Sequence, residues 1–303
     1  MHFPVEHLLD QVLNLFCLII KDDENQKAID DGLKKGIKYI QTDAPLGQPG
    51  SLTCDNVIEI HDNYCEFLWL LSYCFLIIND CTIIIKDEDA SEFINRDDAK
   101  KYVDEAYIML DEALLMLKKN ERDEKYMRAS RGKIVNFHNK NLNNPFSPYA
   151  NSMTIVGLTY VLHHEFGHFI YEHDEDTRYN ELEADDHAIS HLKEWANNSE
   201  NMNVIFAGII MALIVTAFIN PSLTSSTYPD IDERIENVLL HINLRGKAHP
   251  NFLMYRIIGF CAYYWGKTFS IDIPAKNDNE TYKSYLKKIK PIIINHKRKT
   301  KII

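Results

Sequence analysis

The sequence lacks any pair of cysteines spaced as CxxC, although it contains six cysteines among 303 residues. Several of the six lie in apolar runs, where an unpaired cysteine packs as a small hydrophobic side chain. The spacing therefore supports neither a disulfide framework nor a cysteine-based zinc site. Free thiols are typical of a reducing compartment, so this pattern favours the cytoplasm.

The sequence also lacks the features of a secretory signal peptide. No Lys or Arg precedes Lys21, and Asp10 interrupts the first apolar stretch. No small-residue cleavage site follows that stretch. We therefore expect a cytoplasmic protein.

Uncharged runs of membrane-spanning length are also missing. The apolar run 204–219 has sixteen residues, whereas a transmembrane helix needs about 20. Asn residues flank it, without the Lys and Arg bias or the aromatic belt of a membrane helix. A shorter apolar run covers residues 67–78. Both runs are interpreted as buried core helices, so no membrane partner is expected.

Positive charge is the minority charge in this chain, with 33 Lys and Arg against 44 Asp and Glu. The net charge of −11 argues against nucleic acid as a partner, because phosphate binding requires a basic surface. The hydrophobic share of 46% and the charged share of 25% are those of a globular protein. We expect one compact unit, with an N-terminal α+β region at 1–130 and a C-terminal core at 131–303 that holds the motifs described below.

Hydrophobic periodicity predicts a mainly helical α+β fold. The predicted elements are helices at 5–20, 64–78 and 97–119 and short strands at 37–41 and 57–60, with a turn-rich segment at 43–50. Residues 133–149 are rich in Asn and contain two prolines, which favours an irregular segment. The basic C-terminal segment, 283–303, is predicted to be a frayed, solvated terminus.

The motif HEFGH, at residues 164–168, contains two histidines four positions apart. Positions i and i+4 share one face of a helix, so both imidazoles can bind a single metal ion. Glu165 projects about 100° round the helix from His164, where it can act as general base on a metal-bound water. Asn151 or Ser152 is expected to cap the start of this helix.

A second motif, Glu181-Leu-Glu-Ala-Asp185, begins thirteen residues after His168. Two histidines leave a catalytic zinc one protein ligand short, and a carboxylate from a following helix is a common third. Asp185 lies one turn after Glu181 on the same face, where it can orient a zinc-bound histidine. The small Ala184 allows close packing of the two helices. The pattern predicts Zn²⁺ bound by His164, His168 and Glu181.

This pairing resembles the gluzincin branch of zinc metallopeptidases, in which an HExxH helix is followed by an ExxAD helix. A third segment, 226–235 (STYPDIDERI), resembles the S-T-H-P-x-x-x-E-R-I segment of the Ste24/HtpX membrane peptidases and of the Lit family. In those families its His and Arg lie close to the metal and substrate, which implies such roles for Tyr228 and Arg234. Tyr228 replaces the usual His, and its hydroxyl could stabilise an oxyanion. The alternative for Arg234 is an ion pair with the acidic helix.

The chain most resembles the Lit-type phage-exclusion peptidases, the peptidase U49 family. The shared features are a length near 300 residues, a doubled histidine within 162–165, the run E-x-x-A-D-x-H-A at 181–188, and an aromatic-rich helix near 63–80. The resemblance implies a cytoplasmic zinc endopeptidase with a zincin-like fold. For the namesake it implies cleavage of a translation elongation factor in antiphage defence, switched on by a phage-derived activator.

Four further histidines lie near the two motifs. His187 matches a Lit histidine, which implies that it stabilises the transition state or tunes the site. His187 and His191 could also form a second metal site, although an ordinary polar face is favoured for His191. His163 projects away from His164 and is predicted to be structural. His173 follows the motif among acidic residues and is predicted to be solvent-exposed.

The sequence as a whole therefore predicts a zinc endopeptidase. Glu165 would deprotonate the metal-bound water and later protonate the leaving amine, while Tyr228, Arg234 or His187 stabilises the oxyanion. Two alternatives stay open: a metal-stabilised regulatory or interaction protein with little catalysis, and a Ste24/HtpX-like membrane-associated protease. The expected partners are a protein substrate and a phage-derived activator, with no nucleic acid and no membrane.

Overall fold

Over the residues that the structure describes, the fold is mainly helical, with one small sheet. The computed structural model describes residues 5–20, 38–40, 50–52, 57–86, 94–118, 144–173, 177–197, 202–219, 229–242 and 252–300. The helices there are α1 (Glu6–Ile19), α2 (Asp62–Lys86), α3 (Arg96–Lys118), α4 (Ser147–Ile170), α5 (Arg178–Asn197), α6 (Met202–Ile219), α7 (Ile231–His241), α8 (Leu253–Phe269) and α9 (Tyr282–Thr300). The strands are β1 (Lys38–Ile40), β2 (Gly50–Leu52) and β3 (Ile58–His61).

The N-terminal helices lie close to where hydrophobic periodicity places them. Helices α1 and α3 differ from the predicted ranges, 5–20 and 97–119, by one residue at each end. Helix α2 is longer than the predicted 64–78, because the apolar sequence resumes at residues 83–85 after a short polar interruption. Hydrophobic periodicity therefore underestimates the length of α2.

The predicted start of α4 is wrong, because the helix begins at Ser147. Pro148 lies in its first turn, where a missing N–H breaks no intrahelical hydrogen bond. Ser152 does not cap the helix, and its hydroxyl donates to the carbonyl of Pro148. The side-chain oxygen of Asn151 accepts a hydrogen bond from the indole of Trp69. The helix therefore starts within the segment that was expected to be irregular.

The three strands form one sheet in the order β1-β3-β2. β3 runs parallel to β1 and antiparallel to β2, and Ile60 is opposite both Tyr39 and Gly50. β1 and β3 correspond to the predicted strands, whereas β2 begins where a turn was expected. Ile58 and Ile60 are buried, and β2 and β3 both contact α4.

Helix α4 is central, with α1, α2, α5 and α6 all packed against it. Most of its residues are buried, as its nearly continuous apolar sequence requires. It lies close to α6 at Gly157 and Gly208, where a Cβ added to Gly208 would lie 2.6 Å from the carbonyl oxygen of Met153. The helix that carries HEFGH is therefore held on several sides by packed neighbours.

Helix α6 confirms the prediction of a buried helix at 204–219. Ile209, Ile210 and Met211 have no measurable exposure. Two helices, Asp62–Ile85 and Met202–Ile219, are long and apolar enough to cross a membrane by length and composition. In this structure 72% and 67% of their apolar windows are buried inside the protein. Both segments contribute to the same hydrophobic core.

The prediction of a frayed C-terminal segment is wrong for residues 283–300, because they form most of α9. Tyr285 and Ile289, one turn apart, are fully buried, and α9 packs on α8. Lys297 lies 2.7 Å from a carboxylate oxygen of Asp230, at the start of α7. The basic composition of this segment conceals a narrow apolar stripe, which is sufficient to dock the helix.

The described residues test the prediction for most of the cysteines but do not test the domain boundary. Cys65, Cys74, Cys81 and Cys261 are buried free thiols, as their apolar surroundings indicate, and Cys17 is exposed. The proposed domain boundary near residue 130 lies outside the described residues, as does Cys54. The two-part organisation stays a prediction.

Candidate metal centre

The candidate metal centre lies between α4 and α5. His164 and His168 come from the C-terminal part of α4, and Glu181 comes from the first turn of α5. The two helices nearly touch here, because a Cβ added to Gly167 would lie 3.1 Å from the Cα atom of Ala184. Small residues on both helices therefore bring the histidines and the carboxylate together.

The three side chains converge through defined atoms. Nε2 of His164 lies 3.3 Å from Nε2 of His168. The two carboxylate oxygens of Glu181 lie 3.4 Å and 3.3 Å from these nitrogens. Among the described residues, this is the group of histidine and carboxylate side chains whose ligand atoms all lie within 4.8 Å of one another.

These separations fit a metal ion. Two ligand atoms 2.0–2.1 Å from a tetrahedral ion lie about 3.3 Å apart, which is close to the measured 3.3 Å between the two histidine nitrogens. Two imidazoles and one carboxylate also form a donor set used by catalytic zinc, with a fourth position left for water or substrate. His164, His168 and Glu181 could therefore hold a metal ion.

The outer nitrogen of each histidine has its own partner, as metal-bound histidines normally do. Nδ1 of His164 lies 2.9 Å from Oδ1 of Asp185, at ion-pair distance although the N–H direction is poorly aligned for a hydrogen bond. Nδ1 of His168 lies 2.9 Å from Nδ1 of His173. Nε2 of His173 lies 3.0 Å from the carboxylate of Glu183. Each candidate histidine ligand thus has a polar neighbour at Nδ1, on the side of its ring away from the candidate metal position.

Asp185 is the centre of a buried polar network. Nε and Nη2 of Arg234 donate to its two carboxylate oxygens at 2.7 Å and 2.6 Å, and the hydroxyl of Tyr160 donates to Oδ1. Burial alone would raise the pKa of Asp185, but Arg234 and His164 outweigh it and hold that pKa well below its usual range. Asp185 is therefore an ionised acceptor behind His164.

The charges of the candidate ligands are coupled. Burial alone would lower the pKa of His164, but its contacts with Asp185 and Glu181 outweigh burial and raise the pKa to about 9. Burial alone would raise the pKa of Glu181, but its contacts with His164 and His168 lower it. The carboxylates therefore favour positive charge at this position, which a bound cation would also supply.

A comparison with protein families connects this geometry to a reaction class. A family model described as Peptidase U49 matches residues 58–254, more than half of the chain. The chain belongs to the peptidase U49 family. No curated protein and no solved structure matches the chain.

The Peptidase U49 match covers the whole of the candidate metal centre. Residues 58–254 include α2 through α7, and with them the three candidate ligands and the Asp185 network. The matched range ends before most of α8 and before all of α9. Membership of this peptidase family indicates peptide hydrolysis as the reaction class.

The remaining predicted site residues of this U49 chain have different positions. Glu165 is half-buried on α4, beside the candidate ligand His164. Arg234 forms the ion pair that was the alternative interpretation, with Asp185. His187 is buried, with its ring centroid 5.9 Å from that of Phe166. Tyr228 lies outside the described residues. The catalytic roles assigned to these four residues stay predictions.

Sequence reasoning missed His173, whose side chain is 5% exposed, so the prediction that it is solvent-exposed is wrong. Helix α4 ends at Ile170, and Glu172 then adopts a left-handed conformation with φ 52°. This turn lets the N–H of His173 donate to the carbonyl of His168 at 3.0 Å. The side chain then folds back beneath His168. A left-handed turn at a glutamate leaves no sequence signal, because glycine is the usual residue there.

Tyr160, by contrast, was recognisable from its position. It lies four residues before His164, so both side chains project from the same face of α4. Its hydroxyl lies between Asp185 and Arg234, and Nη2 of Arg234 lies 3.3 Å from it. Burial and the neighbouring Asp185 raise the pKa of Tyr160 well above its ordinary value, so the hydroxyl stays a neutral donor.

Proposed function

We propose that this U49 family member is a zinc-dependent endopeptidase with a zincin-like active site, in which His164, His168 and Glu181 bind zinc. One observation carries the proposal: two imidazole nitrogens and one carboxylate meet at the separations that zinc ligands require. The outer nitrogen of each imidazole lies 2.9 Å from a polar neighbour. The family match supplies peptide hydrolysis as the reaction class.

The chemistry divides between the ion and the protein. Zinc in such a site acts as a Lewis acid, polarising a carbonyl and making water a better nucleophile. Glu165 accepts a proton from the attacking water and later donates it to the leaving amine. Its half-buried position beside His164 suits a group that must reach both substrate and solvent.

Residues behind the ligands hold them in place. The Asp185 carboxylate fixes the ring of His164, and Arg234 and Tyr160 fix that carboxylate in turn. His173 does the same for His168. With the guanidinium of Arg234 paired to Asp185, we retain Tyr228 as the candidate oxyanion donor. Tyr228→Phe should lower kcat by about 10²–10³ and leave the zinc content unchanged.

The proposal is tested by comparing the wild-type protein with Glu165→Gln and His164→Ala. Each purified protein is assayed for bound zinc and for cleavage of a peptide library, with and without extract from phage-infected cells. The enzyme hypothesis predicts that Glu165→Gln keeps zinc at this centre but loses cleavage, and that His164→Ala loses both. Cleavage that survives in Glu165→Gln would refute the assigned mechanism. Zinc bound at this centre without cleavage by any of the three proteins would favour the regulatory or interaction protein.

The substrate and trigger are proposed from the resemblance to the Lit-type peptidases. We expect a translation elongation factor as the substrate, cut during phage infection after a phage-derived partner activates the enzyme. Purified elongation factors are incubated with wild-type protein or Glu165→Gln, with and without extract from infected cells. A new fragment is expected with wild type plus infected extract. Equal cleavage without the extract would rule out the activator.

We also propose that the protein works in the cytoplasm. The free buried thiols support this location. Cell fractionation is the test, with the soluble fraction as the expected location. Recovery in the membrane pellet, resistant to high salt, would favour the membrane-associated alternative and assign α2 and α6 to the bilayer.

A further inference from the structure

A second histidine cluster lies beside the candidate metal centre and is defined by His163, His187 and His191. His163 comes from α4, one residue before the ligand His164, and the other two come from successive turns of α5. The ring centroids are 4.4 Å apart for His187 and His191, 5.4 Å for His163 and His191, and 6.3 Å for His163 and His187. The mechanism proposed above gives this cluster no necessary role.

The cluster contains buried polar atoms without protein partners. His163 is 0% exposed and His187 is 6% exposed. Neither ring nitrogen of His163, nor Nε2 of His187, has a hydrogen-bond partner among the described residues. The surrounding walls include the rings of Phe16, 4.6 Å from His163, and of Phe166. Unpartnered buried nitrogens are costly, so a ligand bound to these atoms would stabilise the folded protein.

The ring positions suit a single metal ion. Three imidazoles on a tetrahedral ion have centroids about 5 Å apart, given metal–nitrogen bonds of 2.0–2.1 Å. Two of the three measured separations, 4.4 Å and 5.4 Å, lie close to this value, whereas His163 and His187, at 6.3 Å, must move closer together to share one tetrahedral ion. For comparison, His164 and His168 have centroids 4.8 Å apart. The nitrogens of the cluster do not converge within 4.8 Å in the present ring orientations. However, the ring centroid lies on the Cβ–Cγ axis, so rotation of each ring re-aims its nitrogens without moving the centroid.

We propose that His163, His187 and His191 bind a second divalent transition-metal ion, most simply zinc. His187 and His191 repeat on α5 the i, i+4 spacing of His164 and His168 on α4, and His163 supplies a third imidazole from the opposite helix. Three imidazoles are a known zinc donor set. The second ion would link α4 to α5 at a position separate from that of the first ion.

The test is zinc stoichiometry of the full-length protein, stripped with chelator, reloaded with zinc, desalted and measured by mass spectrometry. We expect about two zinc ions per chain in the wild type and about one in His191→Ala. His164→Ala should also retain about one, and the double variant none. His7→Ala, which removes an exposed histidine of α1, should match the wild type. One zinc in the wild type, unchanged in His191→Ala, would overturn the proposal.

A titration of the wild-type protein tests the second site without depending on the folding of any variant. Chelator-stripped wild-type protein is titrated with Co²⁺, and the visible absorption of the tetrahedral complex is followed. Saturation near two equivalents is expected, and saturation near one would refute the second site. Because His191 is only partly buried, His191→Ala should fold, and its circular dichroism should match the wild type. Failure of the first centre would appear separately, as a His164→Ala variant with unchanged zinc.

Discussion

At the residue scale, Asp185 is the side chain on which the candidate centre depends most. Asp185→Asn leaves the buried guanidinium of Arg234 without its counter-charge, which should cost about 3–5 kcal/mol in stability. It also weakens the anchor of His164 and should reduce zinc affinity about 10–100-fold. Urea unfolding of zinc-free protein and competition with a chelating dye measure the two effects.

Asp186→Asn is the matched control for this substitution. Asp186 is the next residue, but its side chain is 54% exposed and pairs with His241 at 3.1 Å. An exposed ion pair contributes less than about 1 kcal/mol, so both stability and zinc affinity should stay near wild type. Equal zinc affinity in Asp185→Asn and Asp186→Asn would contradict the positioning role.

His173 is predicted to act through His168. His173→Ala removes the partner of Nδ1 of His168 and should lower zinc affinity about 10–100-fold, with a smaller loss in Glu183→Gln. Isothermal titration with zinc is the measurement. His241→Ala, a histidine of α7 away from the ligands, serves as control. If His173→Ala binds zinc like His241→Ala, the ring of His168 is held by packing alone.

At the element scale, the distance between α4 and α5 determines whether the ligands meet. Gly167→Ala would place a methyl group 3.1 Å from the Cα atom of Ala184, so the helices must separate by a few tenths of an ångström. We expect destabilisation of about 1–3 kcal/mol together with weaker zinc binding, measured by urea unfolding and dye competition.

Gly157→Ala provides the comparison on the same helix. Its added methyl group would lie 3.0 Å from the carbonyl oxygen of Gly208, so it disturbs the contact between α4 and α6 instead. A similar loss of stability is expected, with unchanged zinc affinity. Weaker zinc binding in both variants would mean that the position of α4 as a whole, and not its distance from α5, controls the site.

Helix α9 is predicted to secure α7, the helix that carries Arg234. Lys297 contacts Asp230 and Asp232 with only 14% of its side chain exposed, and these carboxylates raise its pKa although burial alone would lower it. A pKa raised on folding stabilises the protein fully below the unfolded value of about 10.4. That contribution is lost as pH rises from there through the folded pKa.

The corresponding experiment compares Lys297→Met with wild type across pH. The variant should be less stable by about 1 kcal/mol at pH 8, and the difference should shrink above about pH 10.4. Lys290→Met, which removes the exposed pair with Glu236, should show little difference at any pH. A deficit for Lys297→Met that persists at pH 12 would indicate lost packing and not lost charge.

At the scale of the whole molecule, metal removal should lower thermal stability, because bound ligand adds RT ln(1 + [L]/Kd) to the folding free energy. With zinc at 100 times Kd the contribution of one site is about 2.7 kcal/mol. Calorimetry with chelator, and then with restored zinc, should show a reversible fall in Tm. The double variant His164→Ala, His191→Ala should show no shift. An unchanged wild-type Tm would contradict a resident metal.

How much could be predicted from the sequence depended on how far apart in the chain the interacting residues lie. His164 and His168 follow from helical spacing, Glu181 follows from the need for a third ligand on the next helix, and the structure brings the three together. The ion pair of Arg234 with Asp185 was one of two interpretations, because the residues are 49 positions apart and only the fold joins them. His173 was misjudged because its burial depends on an unusual backbone turn at Glu172. The docking of α9 was missed because charge masked Tyr285 and Ile289.

The three candidate ligands lie close together in the sequence, and this determines when they become available during translation. His164, His168 and Glu181 all leave the ribosome within one helical hairpin, before α6 exists to cover α4. The nascent chain can therefore acquire its metal early in synthesis. Arg234 emerges later, and α9, which holds its helix, is the last helix to be made among those described. If the proposed zinc site is correct, the chain would thus bind zinc before the contact of Arg234 with Asp185 can form, and the support for the ligand geometry would be complete only near the end of translation.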